Sequence, residues 1–419
     1  METSTIALII IGILVILYIS EVIPIAVTSI LACIAMAVFG VIPLNEAFAG
    51  FGNDIVFFMA GMITVGNALY ETGAAQLVGK KIISMVGTNE KVFIGVLIVL
   101  SIPISAFLSN TATAAIMLPL SASVIAASSG KLNKKNTYML VGMAAVSGGA
   151  LTLVSSPPQM IAQGLLEAGN HQTMGFFDVA IVGIPLFVLL FIYSQTFGMK
   201  LQKKFFKFEE KQDVVLVVED DTPKSVPKML IAFGALILCI VGFITEFLSF
   251  GIVAMIGALV CIITKCISLK KTYEKMDWTT IIIFGCSFGI AAGLGDSGAG
   301  AIIANGTISL LGEAVSPFLL AAVLAVVAMI LTNFMSSTAT ANLLVPIAIF
   351  AAIELGYDVR GIAMATALAS GIGYATPMST PPMTMTLTGG YRFKDYIIVG
   401  GVFNILALGL LILLLPLIV

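Results

Sequence analysis

Histidine is nearly absent: His171 is the single one in 419 residues, which leaves no basis for a histidine-built metal site. Cysteine is scarce as well. Cys33, Cys239, Cys261, Cys266 and Cys286 lie in or beside apolar runs and form no Cys-x-x-Cys pair, so they read as small core residues rather than as a disulfide or metal framework. Charged residues make up 10% of the chain against 59% hydrophobic residues, and mean hydropathy is +1.12; soluble domains carry about 25% charged residues. A soluble protein is thereby excluded, and the length suits roughly ten membrane spans. The first 20 residues hold no Lys or Arg, so the basic start of a signal peptide is missing and 1–19 reads as a retained span.

Against this apolar background two short polar stretches stand out as copies of each other. The first is Ser105-Ala106-Phe107-Leu108-Ser109-Asn110-Thr111-Ala112-Thr113-Ala114, running on to Pro119. The second is Thr332-Asn333-Phe334-Met335-Ser336-Ser337-Thr338-Ala339-Thr340-Ala341, running on to Pro346. Serine and threonine in membrane helices commonly just bond the preceding turn or pack helices together. Packing alone, however, does not require the same polar pattern twice, so the two stretches are taken as two halves of one site.

Apolar runs broken by Gly, Pro or charge give ten crossings, near 6–20, 22–42, 54–72, 137–167, 176–198, 228–248, 250–264, 278–296, 360–388 and 395–418. The stretches near 92–128 and 316–353 carry the polar motifs mid-way. Each half reads as too short to span comfortably, so each stretch is expected to be a re-entrant helical hairpin with its tip at the motif. With the amino terminus outside, 19 of the 20 basic residues fall on the inner side and Arg360 alone falls outside. Both termini are then outside.

The polar linker 200–227 divides the chain into 1–199 and 228–419, each with five crossings and one hairpin. Between the halves Glu71-Thr72-Gly73-Ala74 matches Asp296-Ser297-Gly298-Ala299, and Ser155-Ser156-Pro157-Pro158 matches Ser379-Thr380-Pro381-Pro382. Because five is odd, the second copy enters the membrane upside down. The expected fold is therefore all-α and polytopic, built from two inverted repeats, as in secondary transporters.

These paired tips, the Gly-Gly…Pro-Pro breaks after them, and the opening Ser20-Glu21-Val22-Ile23-Pro24…Phe51-Gly52-Asn53 resemble the divalent-anion/sodium symporters, carriers of dicarboxylates, citrate or sulfate. The resemblance covers nearly the whole chain. It implies a homodimer working as an elevator, with a scaffold mainly of 1–75 and 228–296 and a transport unit mainly of 92–199 and 316–419. The second tip departs from the family with Ser337 in place of the usual Asn, and Gln159 and Met383 stand where Asn usually follows the Pro-Pro pairs.

No Lys, Arg or His falls in the interior of a span, so helix amino termini must supply the positive potential for an anion. Four such ends are expected, after the two tips and at Pro157 and Pro381. Asn110, Thr111, Ser156, Ser337, Thr338 and Thr380 are the candidate substrate residues. A hard cation takes oxygen ligands. Ser105, Ser109 and Asn110 are assigned to one sodium site, and Thr332, Ser337 and Thr340 to another, with carbonyls near Ser155 and Ser379 closing them. Ser105 with Ser109, and Thr332 with Ser336, are i,i+4 pairs expected to share a helix face.

The expected function is Na⁺-coupled symport of a small divalent anion, with a C4-dicarboxylate such as succinate or malate first in line, in the plasma membrane of a prokaryote and without enzymatic activity. Proton-coupled or exchange transport of sulfate, citrate or tartrate is the alternative. A sodium/proton antiporter would want a titrating carboxylate in mid-span, and none is present. Gly293-Leu294-Gly295-Asp296 and Tyr357-Asp358 resemble intramembrane aspartyl protease signatures, but in reversed order and with the second in an outer loop.

Overall fold

The computed structural model describes residues 2–20, 22–73, 89–128, 130–206, 225–245, 247–311 and 315–419, and these form helices and connections with no strand among them. Lys80, Lys81, Glu21, Ala74, Glu246, Glu313 and most of the linker, 207–224, lie outside the described residues.

The helices are α1 (Thr3–Ser20), α2 (Ile25–Val38), α3 (Asp54–Glu71), α4 (Glu90–Phe107), α5 (Asn110–Ala127), α6 (Lys134–Gly148), α7 (Pro157–Ala168) and α8 (Ala180–Phe205) in the first half. In the second they are α9 (Val226–Thr245), α10 (Phe250–Ile263), α11 (Leu269–Glu274), α12 (Trp278–Asp296), α13 (Ala299–Leu311), α14 (Pro317–Thr332), α15 (Ser337–Leu355), α16 (Val359–Ser370), α17 (Pro381–Met385) and α18 (Phe393–Leu417). Polar caps set many of the starts. Asn53 accepts from the Ile55 N–H at 2.9 Å to open α3, and Asp277 accepts from the Thr280 N–H at 3.1 Å to open α12. Ser316 followed by Pro317 opens α14, and Gly356, at φ +68°, ends α15 in the left-handed conformation that costs glycine nothing.

Seven of these helices are long and apolar enough to cross a membrane, among the described residues. The ten crossings read from the sequence include two that the structure interrupts, between α6 and α7 and between α16 and α17. They also include α2 and α10, of 14 residues each, which at 1.5 Å per residue reach about 21 Å. The hairpin halves run the other way: α4 has 18 residues and α15 has 19, long enough to cross, so short length is not what marks these segments. Helices α11 and α13 have no counterpart in the sequence reading.

The two halves pack alike. Helix α4 lies on α5 and α6 as α14 lies on α15 and α16; α2 pairs with α12 as α10 pairs with α3. The α3–α10 contact is tight because glycines line it: a Cβ on Gly61 would stand 2.6 Å from the Ala254 backbone, and Gly251 lies against Asp54, whose carboxylate accepts its N–H at 2.8 Å. The interrupted helices sit at the centre, with every residue of α6 from Asn136 to Gly148 and of α16 from Gly361 to Ser370 buried. Outer helices such as α9 turn Leu230, Ile237 and Val241 outward, an apolar surface suited to lipid.

Ion pairs join residues that the charge pattern placed on one side. Glu71 pairs with Lys271 and Lys275, Lys203 with Glu90 at 2.6 Å, and Arg360, the one basic residue that the charge pattern set apart, with Asp178 at 3.0 Å.

Candidate functional site

At the first tip α4 ends at Phe107, Leu108 turns extended, and Ser109 caps α5 by accepting the Ala112 N–H at 3.2 Å. Ser336 caps α15 in the same way, accepting from the Ala339 N–H at 3.2 Å. This corrects the helix-face argument: Ser105 and Ser109, like Thr332 and Ser336, stand on either side of a helix break, and the second hydroxyl of each pair is a cap.

Ser105 is fully buried and turns away from the tip toward the broken helix, donating to the Ala145 carbonyl at 2.6 Å. One atom of the Asn110 carboxamide lies 2.8 Å from Ser105 Oγ, 3.1 Å from Ala145 O and 3.1 Å from Ser155 O. Gly149 lies against this amide, and a Cβ there would sit 2.7 Å from Nδ2 and 3.0 Å from Oδ1. At the second tip Thr332, also fully buried, donates to the Ser370 carbonyl at 2.7 Å, and the Ser337 backbone N–H donates to Ser379 O at 3.0 Å. Asn110 and Ser337 thus approach equivalent carbonyls, one with its side chain and the other with its backbone.

The breaks are built alike. Ser155 donates to Gly149 O at 3.0 Å and Ser379 to Gly373 O at 2.5 Å, both six residues back. Thr152 donates to the Ala106 carbonyl, and Thr376 to the Asn333 carbonyl at 2.8 Å, strapping each break to its own hairpin. The sequence reading missed this pair, although Thr-x-x-Ser-[Ser/Thr]-Pro-Pro occurs at both places.

Of the remaining candidates, Thr111 is exposed and Thr338 half-buried; Ser156, Thr380 and Thr340 are buried. Thr340 bonds back to Ser336 O at 3.1 Å, whereas its first-half counterpart Thr113 and the hydroxyl of Thr380 have no partner. The expected cradle of four helix ends is reduced. Helix α17 has five residues, too few for much dipole, and the Pro-Pro pair at the start of α7 removes that helix's first two N–H groups. Helices α5 and α15, of 18 and 19 residues, remain as full amino termini, α5 packing on α17 and α15 on α7. A cavity of about 630 Å³ lies elsewhere, between Gly50, Phe288 and Ala292 on one wall and Leu165, Pro346 and Phe350 on the other, and holds none of the candidate residues.

The first tip fits sodium on its donor chemistry: Ser105 Oγ, Ala145 O and Ser155 O are hard ligands gathered around one end of the Asn110 carboxamide, whose oxygen would complete the set when turned toward them. Among the described residues no cluster of His, Cys, Asp and Glu suits a transition metal.

Two polar hairpin tips, packed against interrupted helices that are buried at the centre of an apolar chain with no strand among its described residues, mark a multi-pass membrane transporter. The chain belongs to the citrate transporter family, which its residues 15–369 match. An uncharacterised transporter of Haemophilus influenzae is 27% identical over 93% of this chain and 86% of its own length. A sodium-dependent dicarboxylate transporter of Staphylococcus saprophyticus is 26% identical over 94% of this chain and 82% of its own. In fold the chain is similar to two solved structures. The YdaH transporter of Alcanivorax borkumensis is 13% identical with a TM-score of 0.58, covering 92% of this chain and 87% of that one. MtrF of Neisseria gonorrhoeae is 14% identical with a TM-score of 0.60, covering 99% and 95%. The family and these neighbours are transporters, not enzymes. Asp358, half of the protease-like signature, is a helix cap for Arg360 and Gly361.

Proposed function

We propose that the protein is a sodium-coupled symporter of a small divalent anion, with a C4-dicarboxylate such as succinate or malate as the first choice. The oxygen cluster at Ser105, Asn110, Ala145 and Ser155 carries this reading. It gathers three oxygens around one end of the Asn110 carboxamide, whose own oxygen can turn in as a fourth, a set that suits a small hard cation. The start of α5 next to it, with Asn110 and Thr111, offers free N–H groups to an anion, and at α15 the Thr338 N–H and the Ser337 hydroxyl do so, the Ser337 N–H being held by Ser379 O. Bound Na⁺ supplies the positive charge that no Lys or Arg provides there.

The matched packing of the halves supports an inverted repeat, five crossings and one re-entrant hairpin each. The scaffold is 1–75 with 228–296, and the transport unit, 92–199 with 316–419, slides along it as an elevator. The assembly is a homodimer in a prokaryotic plasma membrane with both termini outside. Sodium dependence in a relative alike over most of its length favours Na⁺ over protons as the coupling ion.

Sealed proteoliposomes test the reading. Uptake of radiolabelled succinate is expected with an inward Na⁺ gradient, none with K⁺ and a pH gradient, and none from Asn110→Ala. Uptake driven by the pH gradient alone would overturn the sodium assignment. Movement of citrate, sulfate or tartrate but not succinate would overturn the choice of anion.

A further inference from the structure

Tyr18, Ser29 and Asn342 are fully buried and joined by hydrogen bonds across three helices, α1, α2 and α15. Ser29 Oγ donates to the Ile25 carbonyl at 2.9 Å, so the Tyr18 hydroxyl, 2.6 Å away, donates to Ser29, and Asn342 Nδ2 donates to Tyr18 at 2.9 Å. Among the described residues the Asn342–Tyr18 bond is the one hydrogen bond that joins 1–75 and 228–296 to 92–199 and 316–419. The repeat does not require it: Thr338, Thr340 and Pro346 are matched by Thr111, Thr113 and Pro119, but Asn342 by Ala115. Asn342 Oδ1 has no partner, and an amide buried with half its capacity unmet is costly for packing alone.

Three contacts fix how far the tips stand along the neighbouring helices. Asn342 is five residues, about 7 Å, from the tip residue Ser337, yet it meets Tyr18, two residues from the end of α1. A Cβ on Gly66 would stand 3.3 Å from Leu108 Cδ2 at the first tip, and Gly66 is five residues from the Glu71 end of α3 but 12 from Asp54. Phe350 lies against Gly295 near the far end of α12, which leaves Ser337, 13 residues earlier, near the Trp278 end. Both tips thus stand toward the side where Glu71 pairs with Lys271 and Lys275, the inner side of the charge pattern.

We propose that Tyr18 and Asn342 form a latch that holds the carrier with its tips displaced inward, a proposal that rests on the elevator reading above. Outward sliding would carry Asn342 off Tyr18, while Tyr18 keeps Ser29 because both ride on the scaffold. Elsewhere the units meet through apolar contacts, such as Phe176 on Phe243 with ring centroids 5.1 Å apart, which favour no single register. One neutral hydrogen bond selects the register and is weak enough to break in every cycle. Tyr18 and Asn342 are positioning residues.

The test is the sidedness of the tip. A cysteine placed at exposed Thr111 is labelled with a membrane-impermeant maleimide in right-side-out and in inverted membrane vesicles, without Na⁺ or anion; the protein without the reporter, whose five cysteines are buried, is the blank. The reporter should label faster from the inner side. Tyr18→Phe and Asn342→Leu should each move the inner-to-outer ratio outward by about 2- to 10-fold, the worth of one hydrogen bond, and the double variant no further. Ser29→Ala removes the α1–α2 bond and leaves the latch, so it should lower stability without moving the ratio. If Asn342→Leu is not recovered folded, Tyr18→Phe, which loses one oxygen, carries the test alone. Faster labelling from outside in the wild type, a ratio unmoved by Tyr18→Phe, or one moved as far by Ser29→Ala overturns the latch and leaves the symport reading, which uptake tests separately. Labelling from one side alone in every variant overturns the elevator reading and the latch together.

Discussion

Thr152 and Thr376 each hold an interrupted helix to its hairpin through one buried hydrogen bond, to Ala106 O and Asn333 O. Replacing either with valine keeps the shape and leaves a buried carbonyl unpaired, a loss of about 1–3 kcal/mol. Thr152→Val and Thr376→Val should therefore lower the melting temperature, and Thr152→Ser and Thr376→Ser should restore most of it; a valine variant as stable as wild type would show that the strap carries no weight. At this scale the sequence was legible where a side chain repeats. The tips drew attention to Ser105, Asn110, Thr332 and Ser337, and all four approach the broken helices. It was illegible where the partner is a carbonyl: Ala145 O and Ser370 O come from residues whose side chains say nothing about them. Ser109 was misread because its spacing from Ser105 fits a helix face equally well, and only the extended Leu108 between them shows a break.

Helices α3 and α10 approach closely because Gly61 and Gly251 have no side chain to keep them apart. A valine at Gly61 would push against the Ala254 backbone, with an overpacking cost of about 1–3 kcal/mol or more. Gly61→Val should lower the melting temperature or the folded yield, while Gly234→Ala on α9, with nothing within 4 Å of the new Cβ, should leave both unchanged; equal behaviour of the two variants would refute the close contact as a determinant. Elements were legible where apolar length and a cap coincide, as in α12, whose limits 278–296 are those expected. Helices α11 and α13 were not, since 6 and 13 residues fall short of a span, even though Ser268 caps α11 by accepting the Lys271 N–H at 3.3 Å. The hairpins were recognised by their polar tips, although their halves are longer than expected; the tips, not the lengths, distinguish them.

Across the whole molecule the two tips pose one question of charge. Each charge moved through the membrane potential exchanges about 2.3 kcal/mol per 100 mV, equivalent to about a fifty-fold gradient. A dianion entering alone against an inside-negative potential would meet twice that. On the proposed function the two hairpins, each with a buried hydroxyl aimed at a break carbonyl, would hold one Na⁺ each, and two Na⁺ with one dianion move no net charge. No further positive charge is built into the path, since every Lys and Arg among the described residues sits at or beyond a helix end or on the short surface helix α11. The protein should therefore be electroneutral. In proteoliposomes with a fixed Na⁺ gradient, a valinomycin-set inside-negative potential should leave the rate of succinate uptake unchanged. Stimulation that grows with the potential would require a third cation and a binding site outside the two tips; inhibition by the same potential would mean that fewer than two accompany the anion, and would leave the Ser337 tip, which lacks the amide of the first, as the one without an ion.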